Sequence, residues 1–148
     1  MGAAFGKFAK LTTMNAQPLR DEVARFFDDF VVAFASFSGA RIAARYFVPG
    51  VALRGDGSIQ CLQSREDIEL FFQAAVDGYR KEGCRTCRYK DLDVVPMGEL
   101  SVLGTVTWEL LREDGSVLKQ WRQSSNLVRL EKGWRILAST YHVEGASG

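Results

Sequence analysis

The chain has 148 residues, 47% of them apolar, which is enough for one buried core and too few for two ordinary domains. Its 19 Lys and Arg residues against 18 Asp and Glu leave a formal charge of +1, with no basic block and no acidic tail. That balance argues against nucleic acid or an anionic membrane as partner. The longest apolar run, "FVVAFASF", is far shorter than the roughly 20 residues of a membrane span, and Asp28 and Asp29 adjoin it.

In "MGAAFGKFAKLTT" lysines interrupt the apolar residues, unlike a secretory signal, so the expected location is cytoplasmic. Residues 1–13 are expected to form an arm, with Met14 as an alternative start, 14–145 a single domain and 146–148 a tail. Pro18 suits the first turn of a helix, and Leu19, Val23, Phe26, Phe27, Phe30, Phe34 and Phe37 follow at helical spacing. "SFSG" interrupts that helix, and a shorter one, "ARIAARYF", ends before "VPG".

"VALRGDGSIQCL" reads as a hairpin around Asp56-Gly57. Ser64 is placed to cap a third helix, whose stripe is Ile68, Phe71, Phe72, Ala75 and Tyr79 and whose stop is Gly83. Cys84 and Cys87 form a CxxC, but a structural zinc needs about four ligands, and only Cys61 and His142 remain, in other segments. Neither a metal site nor, with three cysteines, a disulfide framework is expected. "CRYKDLDVV" is an irregular strand ending near Pro96, and the remainder, turning at Asp114-Gly115 and at Glu131 to Gly133, is an antiparallel meander of three long strands.

A two-residue turn at Asp114-Gly115 sets Trp108 opposite Trp121, Thr107 opposite Arg122 and Thr105 opposite Ser124. A three-residue loop at Glu131 to Gly133 sets Leu130 opposite Trp134, Asn126 opposite Ala138, Ser124 opposite Thr140 and Arg122 opposite His142. Alternation then sorts the meander into two faces. One holds Thr107, Glu109, Arg122, Ser124, Asn126, Trp134, Ile136, Thr140 and His142. The other holds Val106, Trp108, Trp121, Leu137 and Tyr141.

The element order, with "RYFVPGVALRG", "QSREDIELFF" and "EKGWRILAS", resembles the NTF2-like superfamily in its SnoaL-like and ketosteroid-isomerase-like branch, from about Pro18 to Val143. The resemblance implies an α+β, cystatin-like cone: three N-terminal helices packed on a strongly curved antiparallel sheet, around a pocket. It turns the first face inward and gives the outer face, with Trp108, Trp121 and Tyr141, to a homodimer contact. It also places Asn126 where the isomerases carry an oxyanion-stabilising aspartic acid.

The departures are specific. Where the isomerases carry a tyrosine on the first helix, this chain has Phe26 or Phe30; where they carry the aspartate base, it has Arg54-Gly55. Ala138 and Thr140 replace histidines of many SnoaL-like chains. On chemistry alone, His142 and Glu109 are the candidate proton carriers, and Asn126, Arg122, Ser124, Thr107, Thr140 and Phe30 the candidate ligand contacts. No cofactor is implied. Three readings stay open: an isomerase, cyclase or dehydratase acting on a small, partly apolar molecule; a non-catalytic binder of such a molecule; and a homodimeric association module.

Overall fold

A computed structural model describes residues 16–131 and 133–144; the expected arm, Met14 and the tail lie outside them. Three helices, α1 (Ala16–Ala35), α2 (Gly39–Ala43) and α3 (Arg65–Lys81), pack on six strands. The strands are β1 (Tyr46–Leu53), β2 (Ile59–Leu62), β3 (Thr86–Met97), β4 (Ser101–Leu111), β5 (Val117–Leu130) and β6 (Gly133–Tyr141). They form one curved sheet in the order β2-β1-β6-β5-β4-β3, antiparallel except where β1 runs alongside β6. The α+β cone is therefore as expected, but "RYF" enters β1 at Tyr46 instead of completing a helix. No helix among the described residues is long and apolar enough to cross a membrane.

Local chemistry explains the boundaries. Ser38 caps α2 by accepting from the Arg41 amide, and Ser64 caps α3 by accepting from the Asp67 amide at 3.1 Å. The same turn is built twice, from "RGDGS" and "REDGS". In each, the aspartate Oδ1 accepts from the amide and hydroxyl of the serine two residues on, and the glycine takes a φ of +86°.

The core forms where the helical phenylalanine stripe meets the sheet. Phe27 packs edge-on against Trp108 at 5.9 Å between centroids and lies 5.6 Å from Tyr89, while Phe30 lies 5.4 Å from Trp108 and 6.3 Å from Tyr46. Gly104, in β4, makes room for this contact, because a Cβ there would sit 3.0 Å from the Phe27 ring. β3 bulges between Lys90 and Asp93, where Asp91 has φ +55°. Arg122 donates to the Asp91 carbonyl and Arg20 to that of Leu92, holding the irregularity in place.

The β4–β5 register is the expected one: Trp108 opposes Trp121, Thr107 opposes Arg122, and Thr105 opposes Ser124. The β5–β6 register holds only at one end. Asn126 opposes Ala138 and Ser124 opposes Thr140, but Leu127 opposes Ile136 and Leu130 opposes Gly133. Leu137 is the extra residue of a β-bulge, and 43% of it is exposed.

This bulge reverses the expected faces. Trp134 and Ile136 do point at the core, but beyond Leu137 the alternation restarts. Ser139 and Tyr141 then share the helix side of the sheet with Trp108 and Trp121, and Ala138, Thr140 and His142 do not.

At the helical end, α2 docks on α3 through Gly39. Its amide donates to Gln73 Oε1 at 2.7 Å, while Gln73 Nε2 donates to the Phe37 carbonyl at 3.0 Å. A Cβ at Gly39 would meet the Glu69 carbonyl oxygen and lie 2.8 Å from the Gln73 nitrogen, both backbone atoms. Helix propensity alone favours alanine over glycine by up to about 1 kcal/mol. The packing predicts the opposite sign: Gly39→Ala lowers stability by about 1–3 kcal/mol in urea unfolding, because the clash has no flexible partner. A raised midpoint would refute the close helix contact.

Candidate functional site

A cavity of about 440 Å³ opens between α1, α3 and the sheet. That is a volume typical of small-molecule sites. Its inner wall is aromatic. Trp108 and Tyr46 from the sheet face Phe30 from α1 and Phe72 from α3, with Tyr46 and Phe72 rings 4.9 Å apart.

Toward the mouth a second aromatic stack stands on the sheet. Trp121 lies almost parallel to Tyr141, 5.7 Å and 8° apart, and Tyr79 from α3 stacks against Trp121 at 6.4 Å. The β1–β2 hairpin closes against Tyr141 at Gly55, where a Cβ would lie 3.0 Å from the ring. The Trp121 indole N–H donates to Gln123 Oε1 at 3.0 Å, which orients the Gln123 amide nitrogen as a donor.

Two cations line this mouth. The Arg54 guanidinium sits 5.3 Å from the centroid of Phe71, and Lys119 Nζ sits 5.5 Å from Tyr79 and 6.0 Å from Trp121. Asp56 is also on the lining, its Oδ1 accepting from Ser58. Those Ser58 bonds hold its carboxyl below the ordinary range.

Deeper in, burial sets the chemistry. Tyr46 is 5% exposed, and burial pushes its hydroxyl well above the usual phenol range. No hydrogen bond to that hydroxyl is made among the described residues. The Cys87 thiol, also on the wall, is pushed up to about 12 by burial. Both groups stay protonated near neutral pH and can donate.

Of the residues singled out from sequence, Phe30 lines the cavity. Glu109, Arg122, Ser124, Asn126, Thr107, Thr140 and His142 lie on the opposite side of the sheet, for the reason given by the Leu137 bulge. The expected outer residues Trp108, Trp121 and Tyr141 line the cavity wall instead, so an outer-face contact through them is ruled out by the same register.

The outer-face residues are nevertheless knitted together. His142 Nε2 lies 2.8 Å from Ser124 Oγ, which lies 2.7 Å from Thr105 Oγ1, and Arg122 donates to Thr107 at 3.1 Å. Asn126 donates to Ser101 at 2.7 Å. Glu109 pairs with neither His142 nor Arg122. Arg88 Nε donates to it at 2.8 Å and Lys90 lies 3.6 Å away, so hydrogen bonding from Arg88 holds its carboxyl below the ordinary range.

Arg54, Lys119, Gln123 and Tyr46 line the cavity and are residues that sequence reasoning misses. Arg54 is visible there only as a departure, a cation at the position where isomerases hold a carboxylate. Lys119 and Gln123 are hidden by the inverted face.

The family model described as NTF2-like protein (DUF6841) matches residues 21–144. No curated protein matches the chain. Among solved structures, an NTF2-like protein with a cystatin-like fold from Novosphingobium aromaticivorans superposes with a TM-score of 0.72 at 12% identity, covering 93% of this chain and 90% of that one. A proposed calcium/calmodulin-dependent protein kinase II association domain from Xanthomonas campestris gives a TM-score of 0.65 at 21% identity, over 85% and 88%. A proposed dehydratase of the NTF2-like family from Streptomyces avermitilis gives 0.67 at 11% identity, over 88% and 99%. At these identities the likeness is one of fold.

Two testable outcomes arise from the environments of these side chains. With Cys61 exposed and Cys84 and Cys87 buried, the native protein is expected to release one equivalent of chromophore promptly from a disulfide thiol reagent at pH 8, and three after unfolding. Prompt reaction of Cys87 would contradict its place in the wall. For Glu109, a lowered folded pKa means stabilisation present above the ordinary carboxylate range and lost as pH falls through the folded value. Glu109→Gln therefore lowers the melting temperature at neutral pH, and the gap closes on acidification; a gap constant with pH would contradict the pairing.

Proposed function

The chain belongs to the NTF2-like family, and from that premise and the cavity we propose that it binds a small, partly apolar molecule between its helices and sheet. The observation that carries the reading is the aromatic-walled cavity itself, about 440 Å³, with Tyr46 on its wall and no hydrogen bond to the Tyr46 hydroxyl among the described residues. A carbonyl or enolate oxygen of a bound molecule supplies an acceptor for that hydroxyl, while Phe30, Phe72 and Trp108 bury the apolar remainder.

The geometry favours binding over proton transfer. Asp56, the carboxylate on the lining, is engaged by Ser58 at the exposed mouth, and Tyr46 and Cys87 hold their protons. His142 and Glu109 face away from the cavity, so chemistry through them would require a substrate on the other side of the sheet. The solved relative described as a proposed dehydratase shares the fold and brings no residue match to this wall. An isomerase or dehydratase reading rests on Tyr46 alone, as a neutral donor to a developing oxyanion.

A neutral aromatic probe, methyl 2-naphthoate, tests the reading by isothermal titration. Wild type is expected to bind it, and Ala75→Trp, which fills the cavity from α3, is expected to weaken binding at least about tenfold with the fold intact. Ser139→Phe blocks from the sheet side and serves if the first variant does not fold. Unchanged affinity in a folded, blocked variant would overturn the assignment.

A further inference from the structure

Resting on the cavity as a binding site, we infer that its ligand is an anion: a planar aromatic carboxylate, its acid group held at the mouth by Arg54 and Lys119, its ring running inward toward Trp108.

The charges at the mouth are arranged for this. Arg54 and Lys119 both line the cavity, and neither makes an ion pair or a side-chain hydrogen bond among the described residues. Each is instead held over an aromatic ring, Arg54 over Phe71 and Lys119 over Tyr79 and Trp121. A guanidinium resting on a ring face keeps its N–H edge free, in the fork geometry that matches a carboxylate. Ring contact thus places the cations and leaves their donors unused.

The neutral groups have the same polarity. Tyr46, Tyr79 and Tyr141 line the cavity, and Gln123 joins them, its amide oxygen accepting from the Trp121 indole and leaving its amide nitrogen to donate. The Arg54 charge reaches Tyr79, whose hydroxyl is nonetheless raised above its usual range, first by burial and then by Tyr141 and Glu82. The wall therefore offers several O–H and N–H donors that an anion can use. Two carboxylates bear on the mouth: Asp56, whose Oδ1 is engaged by Ser58 at 2.9 and 2.6 Å, and Glu82, near Tyr79. A cationic ligand would meet Arg54 and Lys119 at the mouth, and a neutral one would leave both without an acceptor. The parallel Trp121 and Tyr141 rings and the aromatic inner wall select a flat, apolar body behind the acid group.

The test compares 2-naphthoate with methyl 2-naphthoate, which differ in charge and little in ring shape, by titration of the intact protein. Wild type is expected to prefer the acid by about tenfold or more, the range of a charge-assisted hydrogen bond. Arg54→Met is expected to bring the preference close to unity while leaving ester affinity nearly unchanged. Lys119→Met reduces the preference less and stands in if the first variant fails to fold. Arg25→Met, on the exposed side of α1, removes the same charge and is expected to keep the preference. Equal affinities for acid and ester in wild type would overturn the anion assignment while the cavity stood. A preference surviving both mouth substitutions would overturn the role of Arg54 and Lys119. Failure of both probes to bind wild type would remove the cavity reading and this inference with it.

Discussion

One extra residue in β6, Leu137, decides which chemistry the helices cover. Up to Ile136 the strand packs its large residues on the core, and without the bulge the next inward residues would be Ala138, Thr140 and His142. With it they are Ser139 and Tyr141, paired with Ser125 and Gln123 of β5. A side-chain period of two means a single insertion is enough to exchange the faces. The bulge lets Trp134 and Ile136 join the core while Trp121 and Tyr141 join the cavity wall.

The cavity persists because its boundary is made of rings in contact with rings. Phe27 and Phe30 from α1 meet Trp108, and Tyr46 meets Phe72. Such side chains have few rotamers and bury large areas, so the lining is anchored from behind and the space in front is not readily filled by collapse. Polar groups on this lining include Tyr46, Tyr79, Gln123 and the charged residues Arg54, Asp56 and Lys119. The electrostatic character of the mouth then depends on two residues set near the ends of strands, Arg54 after β1 and Lys119 within β5.

Much of the fold is legible in the sequence because its local signals agree with one another. The phenylalanine stripe of α1, the Ser64 cap and both Asp-Gly turns each report a boundary through short-range chemistry, and the β4–β5 register follows from its turn. The site is less legible, since it depends on face and face depends on every intervening residue. Nothing in "WRILAST" distinguishes a regular strand from a bulged one: Leu137 is as suitable for a core as Ile136. Trp134 and Ile136 point inward as the resemblance implies, while the expected faces of β4, β5 and the part of β6 beyond Leu137 are exchanged. The polar outer set, from Thr105 to His142, forms its own hydrogen-bonded surface, which is why it resembles a site when read from sequence.

The face assignment can be read directly in solution by nuclear Overhauser contacts in a 13C-labelled sample. The bulged register predicts contacts from the Trp108 indole to Phe27 and Phe30, and backbone contacts that pair Leu127 with Ile136 but Asn126 with Ala138. A continuous register through Leu137, with Asn126 and Thr140 side chains touching α1 or α3, would contradict it.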